Sequence, residues 1–231
     1  MEFFERPLGT VLIVSLCVFC LVSCGNLERE TSHNSFSFLG LKKPFYLSGT
    51  SLEPYEYVSF IDQGDNGLHV TKEFEDLAFE VTYKPTDYLV VKELKQKHIL
   101  PADYKAVRQD YKDMHYFLLS IKNTSEQTDV LKYKISTPTA YSERLKYFSF
   151  GMERDFRLVE GTDTIPCSMV LYERNYGING QANFMLAFPV TDTSAVYDKT
   201  ILFEDKIFGM GMLKFQVSKE SIAAIPQLDI L

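Results

Sequence analysis

The chain is 231 residues long, carries 24 Lys+Arg against 31 Asp+Glu for a formal charge of −7, and includes 18 Phe and 14 Tyr but no Trp. The acidic balance disfavours a nucleic-acid or anionic-lipid surface, since both need concentrated Lys and Arg. Aromatic enrichment of this kind is the compositional mark of strands.

Near the start, Leu8 to Val22 (LGTVLIVSLCVFCLV) is an uncharged run of 15 residues. A helix needs roughly 20 residues to cross a hydrocarbon core, whereas a signal-peptide apolar region spans about 7–15. The residues before the run depart from the usual positive charge, with Glu2 and Glu5 against Arg6. The run closes on Leu21-Val22-Ser23-Cys24-Gly25. These residues resemble the lipobox of bacterial lipoprotein export signals: Leu, any residue, a small residue, then Cys. The resemblance implies that residues 1–23 are a lipoprotein signal peptide. It also implies that Cys24 becomes the mature N-terminus, thioether-linked to diacylglycerol and acylated (palmitate-type) on its amine. Cys17 and Cys20 would leave with the peptide. Two or more acyl chains, at about 0.8 kcal/mol per buried CH₂, make such an anchor stable. The alternative is an uncleaved membrane anchor holding three buried thiols, against which stand the short run and the polar stretch after it.

Cleavage would leave Cys24, its sulfur lipidated, and Cys167, so no disulfide could form within a monomer and the fold would rest on its core. It would remove two acids and one base, taking the charge from −7 to −6. Residues 24–37 show no apolar period and read as a flexible tether with a reach on the order of 20 Å. Glu28 and Glu30 resemble the acidic surface-export signal of Bacteroidota-type lipoproteins, and Gly25 does not match the inner-membrane retention signal of enteric ones. Both imply an outer-membrane anchor, on either the periplasmic or the surface face.

Residues 38–231 read as one domain. Pro44–Leu47, Tyr55–Ile61 and Leu77–Tyr83 alternate with period two between Gly, Pro and Asp clusters, which predicts short strands. Thr86 is placed to cap a helix over Asp87–Lys97 with Leu89, Val90 and Leu94 on one face. Pro101 suits the first turn of a second helix, with Tyr104, Val107, Tyr111 and Met114 at helical spacing. The stretch from Lys92 to His98 reads as a solvated helix face. A strand series follows: His115–Lys122, Val130–Ser136, Lys146–Phe150, Phe156–Val159, Ser168–Glu173, Phe184–Val190, Thr200–Glu204 and Leu213–Val217. The expected fold is therefore mainly β: an antiparallel β-sandwich with a short two-helix insertion around 86–114. Strand spacing and aromatic alternation resemble immunoglobulin-like modules of exported lipoproteins. The Cys…Trp…Cys mark is absent, and no activity transfers with the resemblance.

No catalytic residue, cofactor or metal is expected. The nearest approach to a metal loop is Asp62-Gln63-Gly64-Asp65-Asn66-Gly67 with Glu73, where Asp62, Asn66 and Glu73 occupy calcium-ligand positions of an EF-hand. Gly64 at position 3 and His69 at position 8 break that pattern, so a β-turn between strands is the preferred reading. His33, His69, His98 and His115 lack metal-ligand spacing, and Cys167 is read as a buried small residue. Glu153, Asp155, Glu160 and Asp163 could serve a glycosidase only if folding paired them, and are read as a strand's solvent face. Asp163-Thr164-Ile165 resembles the O-glycan acceptor pattern of Bacteroidota exported proteins. There is no nucleophile elbow, phosphate loop or dinucleotide fingerprint.

These readings point to a lipid-anchored, non-enzymatic binding or structural module of the cell envelope, with an envelope protein or a glycan as partner. Its candidate contact surface is a set of tyrosines at loop ends, Tyr141, Tyr172, Tyr176 and Tyr197. A glycan- or substrate-capturing surface lipoprotein is the alternative, and an envelope hydrolase the third.

Overall fold

The structure, a computed structural model, describes residues 50–95, 98–125, 128–174 and 180–230. The lipobox, the tether and the expected strand at 44–47 lie outside the described residues. Among those described, 38% are strand and 31% helix, so the protein is mainly β.

The chain opens with β1 (Ser51–Leu52), α1 (Pro54–Asp62), β2 (His69–Phe74) and β3 (Leu77–Lys84). It continues through α2 (Thr86–Leu94), α3 (Pro101–Tyr111) and β4 (Met114–Asn123) to α4 (Pro138–Phe150). Then come β5 (Phe156–Glu160), β6 (Asp163–Pro166), β7 (Met169–Glu173) and β8 (Gln181–Pro189). The last elements are β9 (Lys199–Asp205), β10 (Gly211–Val217), α5 (Lys219–Ala223) and β11 (Gln227–Leu228). The main strands form two antiparallel sheets, in the orders β2-β3-β4-β8-β7 and β10-β9-β5-β6, while β1 pairs in parallel with β11.

Period-two alternation creates the core. In β3, Leu77, Phe79 and Val81 point inward, with Phe79 opposite Ile121 and Val81 opposite Leu119 on β4. The second sheet supplies Phe156, Leu158, Ile201, Phe203, Leu213 and Phe215, and residues of both sheets belong to one apolar cluster. Phe156 stacks on Phe203 with centroids 4.4 Å apart, and Phe148 of α4 meets Phe184 edge-on at 5.0 Å. A smaller cluster of Tyr57, Phe60, Ile61, Leu68, Tyr88 and Val217 seals α1 and α2 onto the domain. Lys84, although buried, is satisfied there by Asp62 Oδ1 at 2.7 Å.

Three expected strands are not strands. Residues 55–61 lie in α1, because Pro54 fits the first helical turn and buries Tyr57, Phe60 and Ile61 at i, i+3 and i+4. Their β-type composition suited both periods, and the helical face was the one with something to pack on. Residues 146–150 end α4, which starts at a Thr137 cap whose Oγ1 accepts from Ala140 N–H at 3.2 Å, with Pro138 next. Val130–Ser136 holds only a 3₁₀ turn at Val130–Lys132, where the Asp129 carboxylate accepts from Leu131 N. The expected helices at 87–97 and from Pro101 are present as α2 and α3, and the remaining strand series is present with ends shifted by a few residues. The two-helix insertion is thus joined by α1, α4 and α5, and α2 contacts both α1 and α3.

The α1–β2 turn touches α5. Gly67 has φ +79°, and a Cβ there would fall 2.3 Å from Ser221 Oγ. Gly64, in the same turn, has open space around it. Gly67→Ala should cost about 1–2 kcal/mol from the left-handed backbone and the clash, lowering Tm by several degrees, while Gly64→Ala leaves Tm within about a degree or two. Thermal unfolding followed by circular dichroism reads both.

Candidate functional site

A cleft of about 450 Å³ opens where α4, the turn after the 3₁₀ segment and the β9–β10 loop meet. α4 presents Ala140, Glu143, Arg144 and Tyr147 to it, residues at i, i+3, i+4 and i+7 that share one helix face. The other walls carry Lys134, Ile135, Ser136, Lys206 and Ile207. Such a volume falls within the range of small-molecule sites.

Arg144 is the best-held cation of the cleft. Its Nη1 donates to the carbonyls of Val130 (3.2 Å), Leu131 (3.5 Å) and Tyr133 (2.6 Å). Its guanidinium lies 5.3 Å from the Phe208 ring centroid, a cation–π distance. Burial pulls its pKa below the ordinary value, yet a guanidinium stays charged. Phe208 in turn meets the rings of Phe79, Tyr133 and Phe148 at 5.9–6.3 Å, so the ring against Arg144 is continuous with the core. The loop carrying Phe208 is fixed by the buried Asp205 carboxylate, which accepts from the amides of Ile207, Phe208 and Met210.

Two lysines flank this guanidinium. Lys206 donates to the buried Asp155 carboxylate, which also accepts from Tyr147 Oη at 2.6 Å. Burial and that hydrogen bond push the Tyr147 phenol well up. Lys134 adopts φ +49°, a left-handed conformation uncommon outside Gly and Asn, and sets its ammonium 4.9 Å from the Tyr133 ring centroid. Its carboxylate neighbours, Glu75 and Asp76, stand at 3.9 and 4.0 Å.

A second charged cluster lies between the sheets. Lys199 Nζ donates to Glu160 Oε1 across the β5–β9 ladder, where the two residues are register partners. His115 Nε2 of β4 lies 3.1 Å from Glu160 Oε2 and 3.3 Å from Lys199 Nζ. The side chains are 12%, 3% and 5% exposed for His115, Glu160 and Lys199. Burial first, then the Lys199 charge, lowers the His115 pKa; burial lowers that of Lys199. Nε2 donates to Glu160 when it carries the proton and accepts from Lys199 when it does not. Tyr83 of β3, its phenol pushed up to about 12 by burial and then by Glu160, closes the group. At these exposures the cluster ties one sheet to the other.

The sequence-derived candidates scatter. Asp62 ends α1 with its carboxylate on Lys84 Nζ and Tyr88 Oη. Asn66 caps α1, its Nδ2 donating to Phe60 O at 2.6 Å, and Glu73 lies exposed on β2. The turn at 62–67 therefore joins a helix to a strand, where two strands were expected. Among the described residues no group of three or more His, Cys, Asp or Glu is placed to hold a metal. Tyr141 sits on α4 and Tyr172 on β7, the latter stacked on Phe184 at 5.0 Å, both packed against the core and neither in a loop. Tyr197 lies before β9, its hydroxyl donating to Asp192, and Tyr176 lies outside the described residues. Cys24 also lies outside them.

Cys167 is half-buried, with Sγ donating to the Met169 and Ala187 carbonyls and its pKa pushed up to about 11 by burial. Asp155 and Glu160 are not on a solvent face as expected; both are buried, because each has found a lysine. Arg144, Lys134 and Lys206 carried no motif. The usable signal was Thr137-Pro138, a helix start that would have aligned residues 140, 143, 144 and 147.

The site thus belongs to a mainly β protein of two antiparallel sheets with a solvent-open cationic cleft at their helical margin. No protein-family model, curated protein or solved structure matches the chain. No helix among the described residues is long and apolar enough to cross a membrane.

Replacing Lys199 by Met leaves Glu160 buried with only His115 and should cost about 3–5 kcal/mol, while Lys199→Met with Glu160→Gln recovers much of it. Urea unfolding measures both. His115 adds a pH dependence. Its folded pKa lies below the unfolded value near 6.5, so its stabilising effect is complete above that pH and is lost as pH falls toward the folded pKa. Between pH 8 and 5 the wild type should lose more stability than His115→Gln.

Proposed function

We propose that this protein is a lipid-anchored cell-envelope lipoprotein, held in the outer membrane through Cys24, whose β-sandwich binds an envelope component without transforming it. The observation that carries the reading is Leu21-Val22-Ser23-Cys24 closing a 15-residue uncharged run. The two sheets that share one apolar cluster support a two-layer sandwich. The cleft supports binding as its business: its cations are fixed by carbonyls, an aromatic ring and a buried carboxylate, which is how a rigid recognition surface is built.

Capture of a sugar by exposed tyrosines is the second reading, and less favoured. Tyr141 and Tyr172 give their rings to the core, leaving Tyr55, 58% exposed on α1, as the most exposed described tyrosine.

Metabolic labelling with an alkyne fatty acid tests the anchor. Wild type should take the label into the membrane fraction and Cys24→Ala should lose it; equal labelling of the two would overturn the reading.

A further inference from the structure

The guanidinium of Arg144 is held by one edge only. Nη1 is occupied by the carbonyls of residues 130, 131 and 133, while Nε and Nη2 have no hydrogen-bond partner among the described residues. No buried side-chain nitrogen or oxygen of the described residues lacks a partner, so these two nitrogens touch solvent. Arg144 lines the cleft. Nε–H and one Nη2–H are parallel donors on the same edge of the plane, the fork that takes both oxygens of a carboxylate or two of a phosphate.

The rest of the cleft defines what such an anion is attached to. Ile135, Ala140 and Ile207 offer apolar wall beside the Tyr147 ring. Lys134 brings a second ammonium on a backbone in the left-handed region, a departure of the kind that concentrates at ligand sites. Lys134 stands beside Glu75 and Asp76, at 3.9 and 4.0 Å, and Lys206 donates to Asp155. Glu143 lines the same cleft, with Glu204 3.8 Å from Lys206. With both lysines already beside carboxylates, the open edge of Arg144 is the uncommitted donor pair of the cleft, which suits a single negative charge better than two.

From this geometry we infer that the cleft is a binding site for a small ligand bearing one carboxylate, held side-on by Arg144 Nε–H and Nη2–H, steadied by Lys134, with its apolar body against Ile135, Ile207 and Tyr147. The inference rests on the binding-module reading above and names the ligand class for it. A fork fixed before the ligand arrives loses little side-chain entropy on binding, which suits a ligand of few atoms.

Benzoate, benzyl alcohol and phenyl phosphate separate the possibilities, titrated calorimetrically into the full chain purified in detergent. Benzoate should bind saturably, and the neutral alcohol about tenfold more weakly or worse. Lys134→Ala, which leaves the carbonyl clamp intact, should weaken benzoate several-fold. Arg144→Lys, which removes the fork, should abolish binding, with circular dichroism reporting whether it folds. Photolabelling with 4-azidobenzoate should mark residues 134–147 or 206–207 and be blocked by excess benzoate, a readout that needs no variant. Absent saturation, equal binding of alcohol and acid, or labelling elsewhere would overturn the site; tighter binding of phenyl phosphate would overturn the single-carboxylate assignment. Fatty-acid labelling of Cys24 is scored separately. An anchored protein that ignores benzoate loses the site and keeps the anchor, and an unanchored one that binds it loses only the anchor.

Discussion

The constraint on which everything else depends is the burial of eight phenylalanine rings, Phe79, Phe117, Phe148, Phe156, Phe184, Phe188, Phe203 and Phe215, in one apolar cluster fed by both sheets. Each such ring contributes about 1.5–3 kcal/mol when removed from water. No disulfide is present among the described residues to share that task. Close packing of rings leaves no tolerance for an unsatisfied polar group at the same interface. The charges that do enter it arrive in closed sets: Lys199 with Glu160 and His115 between the sheets, and Asp155 with Tyr147 and Lys206 at the margin.

The cleft inherits its rigidity from that core. Phe208 sits among Phe79, Tyr133 and Phe148 on its loop, and the Arg144 guanidinium lies over its ring. Asp205 holds the loop by three amides, and the carbonyls of Val130, Leu131 and Tyr133 hold the guanidinium from the other side. A cation immobilised in this way is costly to place, because a half-buried guanidinium gives up part of its hydration. The carbonyls and the aromatic face offset that loss while leaving one edge of the fork in water.

The strands were legible wherever alternation had a single interpretation. Phe79, Val81, Leu119 and Phe184 sit where period two puts them, and Pro101 opened its helix as its missing N–H allows. Residues 55–61 were misread because Tyr, Val, Phe and Ile favour strands intrinsically, and that preference yields to whichever face can be buried. Residues 146–150 were misread for the same reason. The misreading also hid the cleft, since Glu143, Arg144 and Tyr147 share a face only if the segment is helical. Asp155 and Glu160 looked like solvent-facing acids because their partners, Lys206 and Lys199, lie 51 and 39 residues away in the chain.

By itself, the sequence determined what local chemistry can encode: an uncharged run of signal-peptide length ending at Cys24, an acidic balance, the alternation of the strands and the starts of two helices. The tertiary structure alone decided which faces met. It turned two apparent strands into helices because those sides had a partner surface. It drew distant lysines onto Asp155 and Glu160, and it fastened Arg144 by one edge with the other left open. The reason is physical: backbone preferences are set within a few residues, whereas burial, charge pairing and the orientation of a guanidinium depend on groups that only folding brings together.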